Sequence, residues 1–389
     1  MSLYIVDSQL KQFSGHPYNQ CKGLMSACDL FGVVPIVLSN KHSEISIVND
    51  FSALPCLTYA PYAPPVSSDP FEDFRIKSEL IADELTHALL DQLGAEDFVL
   101  VPVTRHYQLR AVALLASRLP VANRPKWMLY LCDDFKPHRR FKTSDILACY
   151  RQAFSELMQY AHPSRLLLSA DSQVLADRLT ELLQYRVQRS PMPLYYPSSL
   201  TVSPSSPSLT IGVFGQMNVY KGTHLLYDLT QRFQSVHWVI QASDDRNLGY
   251  DYKWFTQQVN IEMLPEGLDP VAYYRHFSAV DIILAPYEKS RVGLSSSGIL
   301  SEAAAAGKVI VATATPWVIE HLAADRLSAC LFTAQDTELI CEALQTVLNS
   351  FLDYRQLAIS RAPEWRNTQS SIAYVSQSLE YFNAQRVGD

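Results

Sequence analysis

The sequence lacks the features that mark several common functional classes. None of its seven cysteines forms a C-x-x-C pair, which excludes zinc ribbons and thioredoxin-like redox motifs and favours reduced thiols. Acidic residues outnumber basic ones by 39 to 32, and the resulting net charge of -7 argues against duplex nucleic acid as a partner. No uncharged run approaches the roughly 18 apolar residues of a membrane helix, and the start MSLYIVDSQL lacks a signal-peptide pattern. We therefore expect a cytoplasmic protein that binds no nucleic acid.

Short apolar runs alternate with helical stretches along the whole chain of 389 residues, a length that suits two to three domains of about 150 residues each. This alternation is typical of parallel sheets wrapped by helices. It predicts an α/β protein of two Rossmann-like, doubly wound domains facing a cleft. The runs are 3–6, 33–38, 98–103, 127–132 and 166–169 in the first half, and 211–214, 236–241, 259–264, 280–285 and 309–314 in the second.

A Pro/Ser-rich stretch, SPMPLYYPSSLTVSPSSP, separates the two halves at 190–207. Clustered Pro and Ser disfavour both helix and strand, so this stretch predicts a linker. We expect an N-terminal domain over 1–195, a linker over 196–208 and a second domain over 209–368. A helix within 369–389 is expected to pack back on the N-terminal domain.

The first motif with chemical content is FGQMNVYKG at 214–222, between a predicted strand and a predicted helix. Gly215 at the strand end would let the backbone approach a ligand. Lys221 would meet a phosphate near the following helix, where backbone N–H groups and the helix dipole also favour anions. The alternative interpretation is an ordinary glycine turn followed by a surface lysine.

The second motif is the loop RVGLSSSG at 291–298, which enters the helix that carries Glu302. Hydroxyls and backbone amides of Ser296, Ser297 and Gly298 would face an anion, and Arg291 would add a cation. Glu302 would accept hydrogen bonds from two vicinal hydroxyls, or else only offset the dipole of its helix. The pattern predicts a nucleotide-diphosphate site.

Three competing motifs do not fit. A nucleophile elbow needs G-x-S-x-G, but Ser297 stands where the second glycine belongs. A P-loop needs Lys and Ser or Thr after its last glycine, whereas Ile299 and Leu300 follow Gly298. No G-x-G-x-x-G opens either half of the chain, so the dinucleotide fingerprint is missing.

The order of these motifs resembles GT-B glycosyltransferases, family four in particular. In the second half, Gly215, Lys221-Gly222, the strand end APY at 285–287, the Ser/Gly loop, Glu302 and GKVIVA at 307–312 follow one another as in the donor domain of that family. In the first half, GHPYN at 15–19 looks like the family's glycine-rich loop. The resemblance spans nearly the whole chain.

The resemblance implies a role for each matching residue. Lys221 and the amides of 296–298 would hold the donor diphosphate, and Glu302 would bind the ribose hydroxyls. Leu264 and Glu266, in the segment 264–267, would meet the base. The full set of implied donor-binding residues is Gly15, Gly215, Gln216, Lys221, Leu264, Glu266, Arg291, Ser296, Ser297, Gly298 and Glu302.

Two positions depart from the family pattern. Gln216 stands where an arginine is usual, and Leu294 stands where a first glutamate is usual, with seven residues between it and the second. Arg291 at the loop entry is a hypothetical replacement for the missing guanidinium. The lost carboxylate leaves the donor sugar open.

The first domain offers candidates on the acceptor side. Asp133 and Asp134 follow a predicted strand and would orient an acceptor hydroxyl or take its proton, or else only bond to local amides. His16 would contact sugar or phosphate, and His106 is a weaker candidate of the same kind. The basic run KPHRRFK at 136–142 predicts a solvated loop, or alternatively a peripheral contact with an anionic membrane surface.

Together these features predict a glycosyltransferase that moves a sugar, with retention, from a UDP- or GDP-sugar to a sugar, lipid-linked or protein acceptor. No metal-ligand cluster accompanies the motifs, so metal-independent transfer is expected. Two alternatives stay open, namely a nucleotide-sugar epimerase on the same fold and a non-catalytic subunit, the latter suggested by Gln216 and Leu294.

Overall fold

A computed structural model describes residues 1–13, 15–132, 140–200, 208–215, 217–242 and 251–386. The chain divides into two compact units. The first comprises Met1–Gln12, His16–Tyr195 and Ser370–Asp389, and the second comprises Phe13–Gly15 and Tyr196–Gln369.

The first unit is built on a seven-stranded parallel sheet in the order β3-β2-β1-β4-β5-β6-β7. Its strands are β1 Ser2–Val6, β2 Val34–Asn40, β3 Leu54–Leu57, β4 Phe98–Val101, β5 Lys126–Tyr130, β6 Leu166–Ala170 and β7 Gln188–Arg189. Its helices are α1 His16–Phe31, α2 Ile45–Phe51, α3 Pro70–Leu89, α4 His106–Arg118, α5 Thr143–Leu157 and α6 Gln173–Leu183, with short 3-10 turns at Val121–Asn123 and Pro163–Arg165.

The second unit is built on a six-stranded parallel sheet in the order β10-β9-β8-β11-β12-β13. Its strands are β8 Thr210–Val213, β9 His237–Gln241, β10 Ile261–Leu264, β11 Ile282–Ala285, β12 Val309–Thr313 and β13 Ala329–Phe332. Its helices are α7 Leu226–Arg232, α8 Tyr252–Thr256, α9 Pro270–Ala279, α10 Lys289–Val292, α11 Gly298–Ala305, α12 Pro316–Ala323, α13 Thr337–Asn349 and α14 Phe351–Thr368. Two 3-10 turns, Val219–Lys221 and Thr223–Leu225, precede α7.

The central strands of both units are buried on both faces, as in a sheet covered by helices on each side. In the second unit, alternate residues of β11 join two different core clusters. Ile282 and Leu284 belong to one cluster, and Ile283 and Ala285 belong to the other. The expected α/β class is confirmed, and the period-two alternation assigns one core cluster to each face of the sheet.

Helix α15, Ser371–Arg386, groups with the first unit and packs on α1. Its Tyr374 ring lies edge-on to Tyr130 at 5.5 Å between centroids, and its Phe382 ring lies 5.5 Å from Phe98. The Tyr381 hydroxyl donates to the carbonyl of Leu166 at 3.0 Å. The last helix therefore covers strands β4 to β6 of the first sheet.

Some boundaries differ from those that the sequence pattern predicts. The GHPYN segment was expected to be a loop, but α1 begins at His16, and Pro17 is tolerated because the first helical turn needs no intrahelical N–H bond. Apolar residues at three- and four-residue spacing over 76–93 predict a helix there, but α3 begins at Pro70, because the Asp69 side chain accepts a hydrogen bond from Phe71 N at 2.9 Å. Of the Pro/Ser stretch the structure describes residues 190–200, and Leu200 is fully buried in the second unit.

Within the described residues, no helix is both long and apolar enough to cross a membrane.

Candidate donor site

The candidate donor residues of the second unit lie where the strand order of its sheet reverses. Strand β8 pairs with β9 on one side and with β11 on the other, so β8 and β11 flank the topological switch point. In open α/β sheets, ligands bind at the carboxyl ends of the strands beside such a point. Gly215 follows β8, and the 286–297 loop follows β11, so both predicted motifs reach this edge.

Two predicted elements converge on Gly215. Its φ of 96° lies in the region that favours glycine. A Cβ atom at this position would lie 3.0 Å from the Lys221 Nζ atom and 3.4 Å from Cγ1 of Ile299, in the first turn of α11. The Lys221 ammonium group and the first turn of α11 therefore both lie close to Gly215. A side chain at position 215 would occupy the space between them.

The loop that carries Lys221 is fixed by short-range bonds. Asn218 Oδ1 accepts a hydrogen bond from the Lys221 backbone N–H at 3.2 Å, and the Tyr220 carbonyl accepts one from Glu288 N at 2.7 Å. Gly222 has a φ of 77°, and a Cβ there would lie 2.5 Å from the Pro286 carbonyl oxygen. This turn therefore packs directly on the loop after β11.

Burial lowers the pKa of the Lys221 ammonium below its usual 10.5, while the negative charge of Glu266 acts in the opposite direction. Its Nζ atom also lies 5.8 Å from the centroid of the Tyr287 ring. A partly desolvated cation of this kind gains more from an anionic ligand than an exposed lysine does, because the local dielectric is lower.

Helix α11 starts with a side-chain cap. Ser297 Oγ accepts a hydrogen bond from Leu300 N at 3.4 Å, and the Tyr287 hydroxyl lies 3.2 Å from the same oxygen. Gly298, the first helical residue, is buried, while Ser296 is partly exposed. The first N–H groups of this eight-residue helix face the same end of the sheet as Lys221, which suits an anion.

The loop after β10 is joined to Gly215 through one buried amide side chain. Gln241 Oε1 accepts a hydrogen bond from Gly215 N at 2.9 Å, and its Nε2 donates to the carbonyls of Pro265 and Glu266 at 3.3 and 3.2 Å. Glu266 Oε1 accepts from Met217 N at 3.3 Å, and Leu264 is buried at the end of β10. The segment expected to meet the base is therefore held beside the diphosphate motif.

Arg291 and Glu302 occupy different environments. Arg291 is exposed in α10, and its guanidinium carbon lies 4.5 Å from the centroid of the Tyr220 ring. Tyr220 directly precedes Lys221 in the chain. Glu302 is only 2% exposed, and its carboxylate accepts hydrogen bonds from the hydroxyls of Tyr273 and Tyr274. A ribose ligand would therefore have to reach a buried carboxylate that already has two phenol donors.

The acceptor-side candidates are placed less completely. Asp133 and Asp134 lie outside the described residues, as does most of the basic run 136–142. The donor-side Gln216 also lies outside them. Gly15 has a φ of 81°, and His16 is exposed at the start of α1. His106 is 4% exposed and packs against the rings of Phe74, Tyr107 and Tyr150, and burial lowers its pKa well below 6.5. This histidine is a packed core residue.

Comparison with known proteins gives a structural match without a sequence match. No family model matches the chain, and no curated protein matches its sequence. Sucrose-phosphate synthase from Thermosynechococcus elongatus superposes with a TM-score of 0.70 at 11% identity, covering 100% of both chains. HepE from Anabaena, in complex with UDP, gives a TM-score of 0.66 at 14% identity, covering 99% of this chain and 100% of its own. The catalytic domain of starch synthase IV from Arabidopsis thaliana, bound to ADP and acarbose, gives a TM-score of 0.60 at 10% identity, covering 99% of each chain.

The chain has the GT-B fold. This confirms the expected fold class, because the matches extend over essentially the whole of this chain and of each matched chain. At identities of 10–14% the likeness concerns the fold, and the chemistry has to be argued from the site.

Several residues of this candidate site were not predicted from the sequence. Tyr273, Tyr274 and Gln241 were not singled out, although each bonds to a predicted residue. Tyr287 entered only as part of the strand end APY, and its hydroxyl lies 3.2 Å from Ser297 Oγ. Gln335 was also missed, and its Nε2 donates to the carbonyls of Tyr220 and Pro286 at 3.1 and 2.5 Å. These partners are separated by up to 115 residues, so no local motif connects them. A polar residue at the end of an otherwise apolar strand, as at Gln241, is the one signal that was available.

Proposed function

We propose that this chain is a glycosyltransferase that moves a sugar from a nucleotide diphosphate sugar to an acceptor hydroxyl, with retention. The observation that carries the proposal is the convergence of a desolvated lysine and a helix N-terminus on Gly215 at the switch point of the second sheet. Both groups favour a polyanion, and the missing Cβ leaves space for it.

The donor is proposed to be a UDP- or GDP-sugar. The HepE structures contain UDP, and one of them contains UDP-glucose, while the starch synthase contains ADP. A uridine nucleotide is therefore the first to test. Leu264 and Glu266 would contact the base, and Glu302 would contact the ribose.

Catalysis would consist mainly of stabilising the departing diphosphate. Negative charge grows on that group as its bond to the sugar breaks, and preorganised donors in a water-poor site stabilise such charge most effectively. Lys221 and the amides at Ser297 and Gly298 would supply this stabilisation without a metal. Arg291, stacked on Tyr220, would add the second positive charge that Gln216 does not provide.

The acceptor is proposed to be a sugar, a lipid-linked sugar or a protein, bound by the first unit, in glycan biosynthesis in the cytoplasm. Asp133, Asp134 and His16 are the proposed acceptor-side residues, with a peripheral membrane contact through 136–142.

The first test is a thermal-shift screen with UDP, GDP, ADP and their common sugar conjugates. A ligand that binds only the native state raises the melting temperature. We expect one nucleotide family to stabilise the wild type but not Lys221→Met. Lys253→Met, which removes an exposed lysine from α8, is the matched control and should respond as the wild type does.

Activity is tested next by following release of the free nucleoside diphosphate from the conjugate that binds. Release that increases with an added sugar acceptor supports transfer. Conversion of the sugar without an acceptor would support an epimerase instead. Absence of any shift would support a non-catalytic subunit.

A further inference from the structure

Glu302 is held by two tyrosines that are neighbours in the chain. The Tyr273 hydroxyl donates to Oε2 at 2.7 Å, and the Tyr274 hydroxyl donates to Oε1 at 3.2 Å. Each carboxylate oxygen therefore has its own phenol donor, which fixes both the position and the rotation of the group.

Both tyrosines belong to α9, which begins directly after the 264–267 loop. Asp269 caps this helix by accepting hydrogen bonds from Val271 N and Ala272 N at 2.9 and 3.0 Å. The Tyr273 ring also packs edge-on against Phe214, at the end of β8, with 5.9 Å between centroids. Helix α9 thus connects the loop expected at the base with the carboxylate expected at the ribose.

The two phenols replace water around a buried carboxylate without neutralising its charge. Burial, followed by the charge of Glu302, raises the pKa of the Tyr273 hydroxyl well above 10, so it stays a donor at neutral pH. A carboxylate has about four lone-pair positions, so the two phenol bonds do not by themselves saturate it as an acceptor. A ribose presents two adjacent hydroxyl donors, whereas a 2′-deoxyribose presents one.

We propose that Tyr273 and Tyr274 are positioning residues that make the donor site selective for ribonucleotides over 2′-deoxyribonucleotides, by fixing the Glu302 carboxylate in register with the ribose diol. The inference rests on the proposed function, since it assumes a nucleoside diphosphate at this site. It assigns to α9 a part in recognition that neither predicted motif contains.

The test compares binding of UDP, GDP and ADP with binding of their 2′-deoxy analogues by calorimetry. The proteins are the wild type, Tyr273→Phe, Tyr274→Phe and the double variant, which keep the rings and lose only the hydroxyls. We expect the wild type to prefer the ribonucleotide. The double variant should lower that preference roughly tenfold, mainly by weakening ribonucleotide binding, because hydrogen bonds to charged groups are worth that much.

Tyr354→Phe is the matched control, because it removes a hydroxyl that packs against the core cluster on the other face of the sheet. It should leave the preference unchanged. Lys221→Met should weaken both nucleotides equally and keep the preference, which separates loss of the site from loss of selectivity.

An unchanged preference in a folded double variant would overturn the inference and leave the proposed function intact. Should the double variant not fold, the single variants Tyr273→Phe and Tyr274→Phe decide the matter. At least one of them has to lower the preference, and an unchanged preference in both overturns the inference. A wild type that binds none of the six nucleotides overturns the proposed function, and this inference with it.

Discussion

Replacing Gly222 by alanine tests how tightly the Lys221 turn is packed on the loop after β11. The φ of 77° is unfavourable for alanine, and this cost alone is about 1 kcal/mol. The new Cβ would also lie 2.5 Å from the Pro286 carbonyl oxygen and 2.7 Å from its Cγ atom. A backbone carbonyl cannot move aside cheaply, so the contact adds about 2 kcal/mol. We expect Gly222→Ala to lower the free energy of unfolding by about 3 kcal/mol.

Gly32→Ala is the matched control for this substitution. Gly32 has a φ of 65°, but a Cβ there would meet nothing within 4 Å, so only the backbone cost of about 1 kcal/mol remains. Urea unfolding followed by tryptophan fluorescence measures both variants, because Trp127 lies in the first unit with Gly32 and the other four tryptophans lie in the second unit with Gly222. Equal losses in the two variants would refute the reasoning, because the contact with Pro286 would then cost nothing.

Three further predictions concern charge and hydrogen bonding. Burial raises the pKa of Asp7 from 3.8 to about 6, so the native state binds this proton more tightly than the unfolded chain does. The protonated carboxyl therefore contributes its full stability below pH 3.8, and this contribution is lost as the pH rises through 6. Urea titrations should therefore show the wild type losing about 2–3 kcal/mol more than Asp7→Asn between pH 4 and 7, and parallel losses would contradict this. Gln335→Ala removes the amide that donates to the carbonyls of Tyr220 and Pro286, and it should weaken nucleotide binding severalfold by calorimetry. Gln345→Ala, which loses an exposed hydrogen bond to Asn349, should leave binding unchanged. The pKa of Lys221 is lowered, and only its charged form attracts the diphosphate. As the pH is raised, the affinity for UDP should therefore begin to fall at a lower pH than it would if the lysine had its usual pKa. The same fall in Lys221→Met would exclude that lysine as the cause.

The central strands were predictable from the sequence because they are continuous apolar runs. Strands β1, β6, β9 and β12 lie within a residue of the predicted ends. The edge strands β3, β7 and β13 were missed. Strand β3 contains a proline, β7 has two residues, and both lack the long apolar run of a strand that is buried on both faces.

The donor motifs were partly predictable, since a glycine after a strand followed by a lysine is a local pattern. The environment of Glu302 was not, because its partners Tyr273 and Tyr274 lie 29 and 28 residues away and come close to it only in the folded second unit. The role of Gln335 depends in the same way on a long-range contact. Sequence patterns thus indicate which residues reach the carboxyl ends of the strands, while tertiary packing decides how each of them is oriented.

The central claim is that Lys221, beside Gly215 and the start of α11, recognises a diphosphate. Calorimetric titration of UDP and of uridine into the wild type and into Lys221→Met tests it most directly. The account predicts that the wild type binds UDP much more tightly than uridine, and that Lys221→Met loses at least tenfold in affinity for UDP while its affinity for uridine is unchanged, since one buried charge-assisted contact is worth about 1.4 kcal/mol or more. Equal UDP affinity in the two proteins, with Lys253→Met as the reference, would contradict it.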